Sequence, residues 1–254
     1  MNFCGKTDIG KVRNNNQDSF FADFLPPIGK LCGNAFLAVV CDGMGGAAGG
    51  QIASSLAVEA FVSRLKTKLS ASAENASRLS EIRFSELMDD AVQYANSKVY
   101  SKSKKEPELY GMGTTLVACL IVKKNIYIVN VGDSRLYAVS GDRLCQITVD
   151  HSYVQALVDS GSISEGEATN HPDKNIITRA VGIRNSVTPD AFLISDFPDS
   201  LLLCTDGLTN MVDGNGILAA ITSPKNVTGT VTELIRLANE GGGKDNITAV
   251  LIKL

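Results

Sequence analysis

The stretch that decides the fold is residues 116–149, which read LVACLIVKKNIYIVNVGDSRLYAVSGDRLCQITV. Its apolar runs have the length of strands, and turns of a few polar or glycine residues separate them. Turns this short join antiparallel strands, since parallel strands need a crossover of about a dozen residues or more. The stretch therefore predicts a hairpin from residues 116–122 and 126–131, with further strands at 136–139 and 143–149.

Apolar patterns on both sides of this stretch predict the other layers of the fold. Buried strands are predicted at residues 35–41, 201–204 and 247–252. Helical spacing predicts amphipathic helices at residues 51–69, 82–99 and 226–240, with an interruption at 70–77. A doubly wound sheet requires strict alternation of strand and helix, which the central stretch breaks. We therefore predict one domain spanning residues 1–254, with sheet packed on sheet and helices outside.

The composition limits the class of protein. With 24 Lys and Arg against 27 Asp and Glu, the net charge of −3 lacks the basic footprint of a nucleic-acid binder. The longest apolar runs are far shorter than the roughly 18 residues of a membrane span, and the N-terminus shows no apolar signal segment. We therefore expect a cytoplasmic protein that binds neither nucleic acid nor membrane. Free thiols are expected, without any C-x-x-C pair, at Cys4, Cys32, Cys41, Cys119, Cys145 and Cys204.

Five aspartates stand beside predicted strands. Asp42, Asp133, Asp206 and Asp245 each lie at the end of an apolar run, and Asp18 lies just before the apolar pair Phe20-Phe21. A single aspartate in this position is most often part of an ordinary turn. Several together also suit Mg²⁺ or Mn²⁺, which prefer oxygen ligands and would relieve the repulsion among converging carboxylates. On this pattern alone, a carboxylate metal site and a set of unrelated turns remain equally open.

Six motifs in chain order resemble the metal-dependent type 2C protein Ser/Thr phosphatases, over roughly residues 6–252. They are Arg13-x-x-Asn16-Gln17-Asp18, Asp42-Gly43-Met44-Gly45-Gly46, Gly111-Met112-Gly113-Thr114-Thr115, Val131-Gly132-Asp133-Ser134-Arg135, Asp206-Gly207-Leu208 and Gly243-Lys244-Asp245-Asn246-Ile247-Thr248. Asp150-His151-Ser152 and residues 175–182 also resemble the bacterial branch of that family. Six ordered motifs are specific, whereas one Asp-Gly pair would carry no weight.

The resemblance implies the α+β class, as a four-layer α-β-β-α sandwich of two mainly antiparallel sheets flanked by helix pairs. It also implies two Mg²⁺ or Mn²⁺ ions in a cleft at the sandwich edge, with a third, weaker metal site. The implied metal ligands are Asp42, Asp206, Asp245 and the Gly43 carbonyl for the pair, Asp133 with Asp206 for the third site, and Asp18 directly or through waters. The resemblance also implies that Arg13 binds the substrate phosphate, a role that suits its planar bidentate donors.

The implied activity is hydrolysis of phosphoserine or phosphothreonine on proteins, by a hydroxide that the metal pair generates from water. The implied partners are phosphorylated proteins and a cytosolic Ser/Thr kinase whose action the enzyme would oppose. One alternative is a catalytically dead phosphatase fold retained as a binding or sensing module. Another keeps the chemistry but acts on a regulator of transcription factors.

Some positions depart from the family pattern. Met44 stands where some members have a histidine that could protonate the leaving group. Gln17 stands where the family usually has Glu, and the lost negative charge predicts weaker metal binding without loss of turnover. His151 and His171 fall within residues 150–184, which resemble the mobile flap of the family. We expect both histidines at the surface or at a helix end, and we expect this flap-like segment to govern substrate choice.

Overall fold

The computed structural model describes residues 1–28, 32–46, 48–78, 80, 82–169 and 171–254. Its strands are β1 (Asn2–Asp8), β2 (Asp18–Ile28), β3 (Cys32–Met44), β4 (Gly113–Thr114), β5 (Leu116–Val122), β6 (Asn125–Val131), β7 (Arg135–Ser140), β8 (Arg143–Gln146), β9 (Asp190–Ile194), β10 (Ser200–Cys204) and β11 (Ile247–Lys253). Its helices are α1 (Gly49–Asn75), α2 (Phe84–Lys105), α3 (Tyr153–Asp159), α4 (Glu165–Thr169), α5 (Asp206–Thr209), α6 (Gly214–Thr222) and α7 (Val227–Glu240). A 3-10 helix, Pro107–Leu109, follows α2.

The strands form two antiparallel sheets. The first sheet has the order β1-β11-β10-β7-β8, and the second has the order β2-β3-β5-β6-β9, with β4 paired to β3. The predicted hairpin is confirmed, because β5 and β6 pair in register from Leu116 opposite Val131 to Val122 opposite Asn125. Lys123 adopts φ 54° in the connecting turn.

Alternating side chains along the strands divide the apolar core into three layers. In β11, Val250 and Ile252 belong to the core between the two sheets, whereas Ala249 and Leu251 pack with α6 and α7. On the second sheet, Val39 belongs instead to the core beneath α1 and α2. The order of the layers is therefore helices, sheet, sheet and helices. The predicted α+β sandwich is confirmed.

Several element boundaries differ from the predictions. Helix α1 continues to Asn75, so the interruption expected from residue 70 onward is wrong. Leu65 and Leu69 still anchor this end of the helix in the core, while small polar residues lie toward solvent. Helix α6 was not predicted; the Asp213 carboxylate caps it by accepting a hydrogen bond from the Gly216 N–H. Strand β1 was also missed, because its mixed composition is that of an edge strand.

Two further expectations concerned the state of the cysteines and the length of apolar segments. Cys4, Cys41, Cys119, Cys145 and Cys204 are free thiols. The side chain of Cys32 lies outside the described part of the chain. Within the described ranges, no helix combines the length and the apolar character needed to cross a membrane.

Candidate active site

All five predicted aspartates lie at one edge of the sandwich. Asp18 opens β2 directly opposite Asp42, near the end of β3. On the other sheet, Asp206 follows β10 and Asp245 precedes its antiparallel neighbour β11. Asp133 lies in the connection between β6 of one sheet and β7 of the other. The carboxylate of Asp42 interacts electrostatically with those of the other four aspartates. The structure therefore brings the predicted acidic residues together.

The carboxylate of Asp18 is held by hydroxyls from the opposite sheet. Its Oδ2 accepts hydrogen bonds from Thr205 Oγ1 at 2.9 Å and from Thr248 Oγ1 at 2.6 Å. Its Oδ1 is buried without a hydrogen-bond partner. Burial raises the pKa of Asp18 to about 7, against the pull of the two hydroxyls, and repulsion from Asp206 adds to the rise. The side chain is thus fixed in position with one buried oxygen left without a partner.

Asp42 and Asp206 are both deeply buried members of the cluster. Burial raises the pKa of Asp42 well above its usual range, and the neighbouring carboxylates raise it further. Burial and repulsion from Asp245 also raise the pKa of Asp206, while a hydrogen bond with Asp42 opposes this rise. Asp206 Oδ2 accepts a hydrogen bond from Asn210 Nδ2 at 2.9 Å, and its buried Oδ1 has no partner. A bound cation would therefore relieve the repulsion that raises the pKa of both carboxylates.

Asp133 is buried in the loop between β6 and β7. Burial raises its pKa to about 7, and repulsion from Asp206 contributes. The next residue, Ser134, places its hydroxyl 2.7 Å from Thr115 Oγ1, which also accepts a hydrogen bond from the Asp42 N–H. The backbone segments that carry Asp42 and Asp133 are therefore linked through two hydroxyls.

Arg13 lies at the rim of the cluster. Its Nη2 donates a hydrogen bond to Asp245 Oδ2 at 2.7 Å, and just over half of its side chain is exposed. The hydrogen bond to Asp245 raises the pKa of Arg13, and Asp42 and Asp206 add smaller attractions. This exposed guanidinium beside three of the carboxylates can meet an incoming anion at the rim of the cluster.

The backbone around Gly43 is packed against the first turn of α1. The Gly43 N–H donates to the Gln17 carbonyl at 3.1 Å. A Cβ on Gly43 would lie 2.0 Å from the Gly50 carbonyl oxygen. The Gln17 side chain also touches this turn, since a Cβ on Gly50 would lie 2.8 Å from Gln17 Oε1. Close approach of the two backbones therefore requires glycine at both positions.

The donor set of the site fits a divalent metal. The groups are carboxylate oxygens, as Mg²⁺ and Mn²⁺ prefer, and two of those oxygens are buried without partners. Among the described residues, no three His, Cys, Asp or Glu side chains form a ready-made ligand set for one ion. This arrangement suits ions that keep several waters and take only one or two carboxylates each.

The prediction missed three supporting residues and misplaced a histidine. Thr205 and Thr248 lie next to or within quoted motifs but were given no role. Asn246 accepts a hydrogen bond from the Gln17 N–H and donates to the carbonyls of Ile9 and Asn15. Of the two positions expected for His151, the surface is wrong, because its side chain is buried and burial lowers its pKa. The residue does lie at a helix end, directly before Ser152, the N-cap of α3. A polar residue that pairs across distant strands leaves no periodic signal in the sequence.

A cleft of about 790 Å³ opens beside the cluster. Asp133 and Asp206 are among the residues that line it. Its walls come from the flap-like segment, through residues such as Val154 and Lys174, and from the start of α6. The cleft is large enough for several residues of an extended peptide next to the carboxylates.

Comparison with known proteins agrees with this fold and site. The family described as Protein phosphatase 2C matches residues 10–251. The chain therefore belongs to the protein phosphatase 2C family. A curated relative, the serine/threonine phosphatase stp of Listeria welshimeri, is 36% identical over 249 residues, covering 98% of this chain and 94% of that protein.

Solved structures show the same fold. The Ser/Thr phosphatase Stp1 of Staphylococcus aureus superposes with a TM-score of 0.85 at 34% identity, over 99% of this chain and 94% of that chain. The catalytic domain of the Ser/Thr protein phosphatase PstP, solved in complex with 2 manganese ions, gives a TM-score of 0.78 at 34% identity. The match covers 98% of this chain and 96% of that one. The predicted fold and family are confirmed.

The clustered carboxylates predict an unusual pH dependence of stability when divalent cations are chelated. Asp18 and Asp133 have a pKa of about 7 in the fold, above their usual 3.8, so the folded state binds more protons than the unfolded state between about pH 4 and pH 7. The free energy of unfolding should therefore fall as the pH rises. At about 1.4 kcal/mol per pKa unit, the two groups together lose about 5–6 kcal/mol between pH 5 and pH 7, so we expect Tm to drop by roughly 10–20 °C from pH 5 to pH 8.

Scanning calorimetry with chelator and with Mn²⁺ is the measurement. Added Mn²⁺ should flatten the pH profile and raise Tm, because a cation bound only by the folded state stabilises it. Groups outside the cluster contribute equally to both profiles and cancel in the comparison. Two profiles of equal slope would contradict a dense acidic site.

Proposed function

We propose that residues 1–254 act as one phosphatase domain that hydrolyses phosphoserine and phosphothreonine in proteins with the help of bound Mg²⁺ or Mn²⁺. The observation that carries this proposal is the convergence of five aspartates, two of them with a buried unpartnered oxygen, at one sandwich edge. Membership of the protein phosphatase 2C family supports it, as does the manganese complex of PstP. The substrates would be phosphorylated proteins, and the enzyme would reverse the action of a cytoplasmic Ser/Thr kinase.

The residues that would hold the metals follow from the motif match and fit the geometry described above. Asp42, Asp206, Asp245 and the Gly43 carbonyl would hold a metal pair, Asp133 with Asp206 would serve a third ion, and Asp18 would act directly or through waters. When bound, the metals supply positive charge and lower the pKa of the water that attacks phosphorus. No protein nucleophile is required for this reaction.

The chain itself contributes binding and orientation. Arg13 would bind the phosphate oxygens through guanidinium N–H groups other than the one bonded to Asp245, and its exposure leaves it free to turn toward the substrate. Thr205 and Thr248 hold Asp18 in one orientation, so its free oxygen does not have to be ordered during the reaction. The cleft beside Asp133 would receive the polypeptide next to the phosphorylated residue, and the flap-like segment that lines it would govern substrate choice.

A matched pair of phosphopeptides tests the proposed activity. We expect inorganic phosphate to be released from phosphoserine and phosphothreonine peptides in Mn²⁺ and not in chelator. A phosphotyrosine peptide of the same flanking sequence should be cleaved far more slowly. Tight Mn²⁺ binding without turnover of any of the three peptides would favour the binding or sensing module instead.

Gln17 supplies a prediction about metal affinity. Gln17→Glu should tighten Mn²⁺ binding roughly tenfold, as expected for a group that tunes a metal centre through its neighbours. The added negative charge would lie against the first turn of α1, where the helix dipole also favours an anion. Titration calorimetry is the measurement. Gln51→Glu makes the same change at an exposed position in that turn and should leave the affinity unchanged; equal titrations for all three proteins would contradict the prediction.

A further inference from the structure

His151 is a buried histidine at the start of the flap-like segment. Its side chain is only 6% exposed. The Gly132 N–H donates to His151 Nδ1 at 3.0 Å, and the His151 N–H donates back to the Gly132 carbonyl at 2.9 Å. Because Nδ1 accepts a hydrogen bond, the neutral ring carries its proton on Nε2. The two bonds fix the peptide units on both sides of Gly132, the second of which leads into Asp133.

The loop that bears Asp133 is held on both sides by neighbouring residues of the flap-like segment. Gly132 adopts φ +107°, and a Cβ there would lie 2.6 Å from the Thr115 side chain, so the loop has a single tight path. Beyond Asp133, Arg135 Nε and Nη2 donate to the Asp150 carboxylate at 2.7–3.0 Å. His151 thus binds Gly132 on one side of Asp133, and Asp150 binds Arg135 on the other side.

His151 also contacts the far end of the flap-like segment. Its carbonyl accepts a hydrogen bond from the Thr178 N–H at 2.8 Å. Its Nε2 lies 3.1 Å from Asp190 Oδ2 in poor hydrogen-bond alignment. The other carboxylate oxygen of Asp190 is 2.5 Å from Arg179 Nη1. His151 therefore contacts the Asp133 loop through its ring and the far part of the flap-like segment through its backbone carbonyl.

We propose that His151 is a positioning residue that orients Asp133 through Gly132 and couples this orientation to the two ends of the flap-like segment. This inference rests on the proposed function, because the orientation of Asp133 matters only if its carboxylate meets a metal or its waters. The hydrogen bond that Nδ1 accepts from the Gly132 N–H positions the Asp133 loop. The contact of Nε2 with Asp190 contributes less to this positioning.

Two substitutions separate these contacts. In His151→Asn the side-chain oxygen can occupy the place of Nδ1, whereas in His151→Gln the longer amide reaches toward Asp190 and leaves Gly132 without its acceptor. We expect His151→Gln to weaken the lower-affinity phase of the Mn²⁺ titration by about 10-fold or more, as is typical for groups that orient a metal ligand. We expect His151→Asn to stay within about threefold of the wild type. Asp133→Asn, which should abolish that phase, identifies it.

Amide exchange supplies a readout that needs neither metal nor turnover. In chelator, the Gly132 amide should exchange at least tenfold faster in His151→Gln than in the wild type and remain protected in His151→Asn. Equal behaviour of the two variants, in exchange and in the titration, would overturn the proposal. If His151→Gln does not fold, imidazole ¹⁵N spectra of the wild type decide, since a protonated Nδ1 at neutral pH is incompatible with the Gly132 contact. A wild type that binds no Mn²⁺ would refute the proposed function, while the exchange comparison would still decide whether Nδ1 holds the loop.

Discussion

Asp206→Asn is expected to lower kcat/KM for both a small aryl phosphate and a phosphoserine peptide by roughly 10³-fold or more. Asp206 lies at the centre of the acidic cluster, where its buried Oδ1 has no protein partner and its carboxylate interacts with those of Asp42 and Asp245. The substitution removes one of the charges that would hold a cation while keeping nearly the same shape. Steady-state kinetics with saturating Mn²⁺ on both substrates are the measurement.

The loss should appear on both substrates alike, because it concerns the reacting centre rather than peptide recognition. Asp142→Asn is the matched control, since it makes the same change at an exposed position in the turn between β7 and β8, and its kinetics should equal those of the wild type. In chelator, Asp206→Asn should melt above the wild type, because it removes one of the mutually repelling buried carboxylates. Retention of more than a tenth of the wild-type activity would remove Asp206 from the metal centre.

Gly43→Ala is expected to destabilise the fold by about 3 kcal/mol or more, at the upper end of what overpacking usually costs. The added methyl would lie 2.0 Å from the Gly50 carbonyl oxygen and 2.6 Å from that of Gln17. These are backbone atoms of two different elements, so neither can move aside as a side-chain tip could. Thermal melting should show Tm lower by roughly 6 °C or more, and Mn²⁺ binding should weaken because the displaced backbone carries Asp42.

Gly46→Ala provides the control within the same motif. A Cβ at Gly46 would meet no atom within 4 Å, so this variant should melt within a degree or two of the wild type. The pair separates steric conflict from a general effect of replacing glycine. Equal melting temperatures for the two variants would show that β3 and α1 can move apart at this point.

The strongest predictions from the sequence came from patterns that repeat locally. Apolar runs of strand length on either side of a short turn predicted β5 and β6, whose pairing is encoded within residues 116–131. The helical period predicted α7. Strand β1 and helix α6 lack such signals. Strand β1 is a mixed edge strand whose place is set by pairing with β11 at the other end of the chain.

The acidic residues could be nominated from the sequence, but their contacts could not. Five aspartates beside strand ends were recognisable as a set, and the ordered motifs gave them a family. The hydroxyls of Thr205 and Thr248 that bind Asp18 lie 187 and 230 residues away from it along the chain. The buried place of His151 was likewise invisible, since only the tertiary fold brings Gly132 to its ring.

The hydrogen bonds from Thr205 and Thr248 to Asp18 join the first sheet to the second at the catalytic edge. The site therefore lies between the two sheets, and residues from both sheets form it. A slight sliding of one sheet over the other would separate Asp18 from its hydroxyl partners even if every strand stayed intact. Side chains such as Val40, Leu203 and Val250 pack between the two sheets. Substitutions there should consequently alter turnover from a distance, because turnover depends on how the two sheets are aligned.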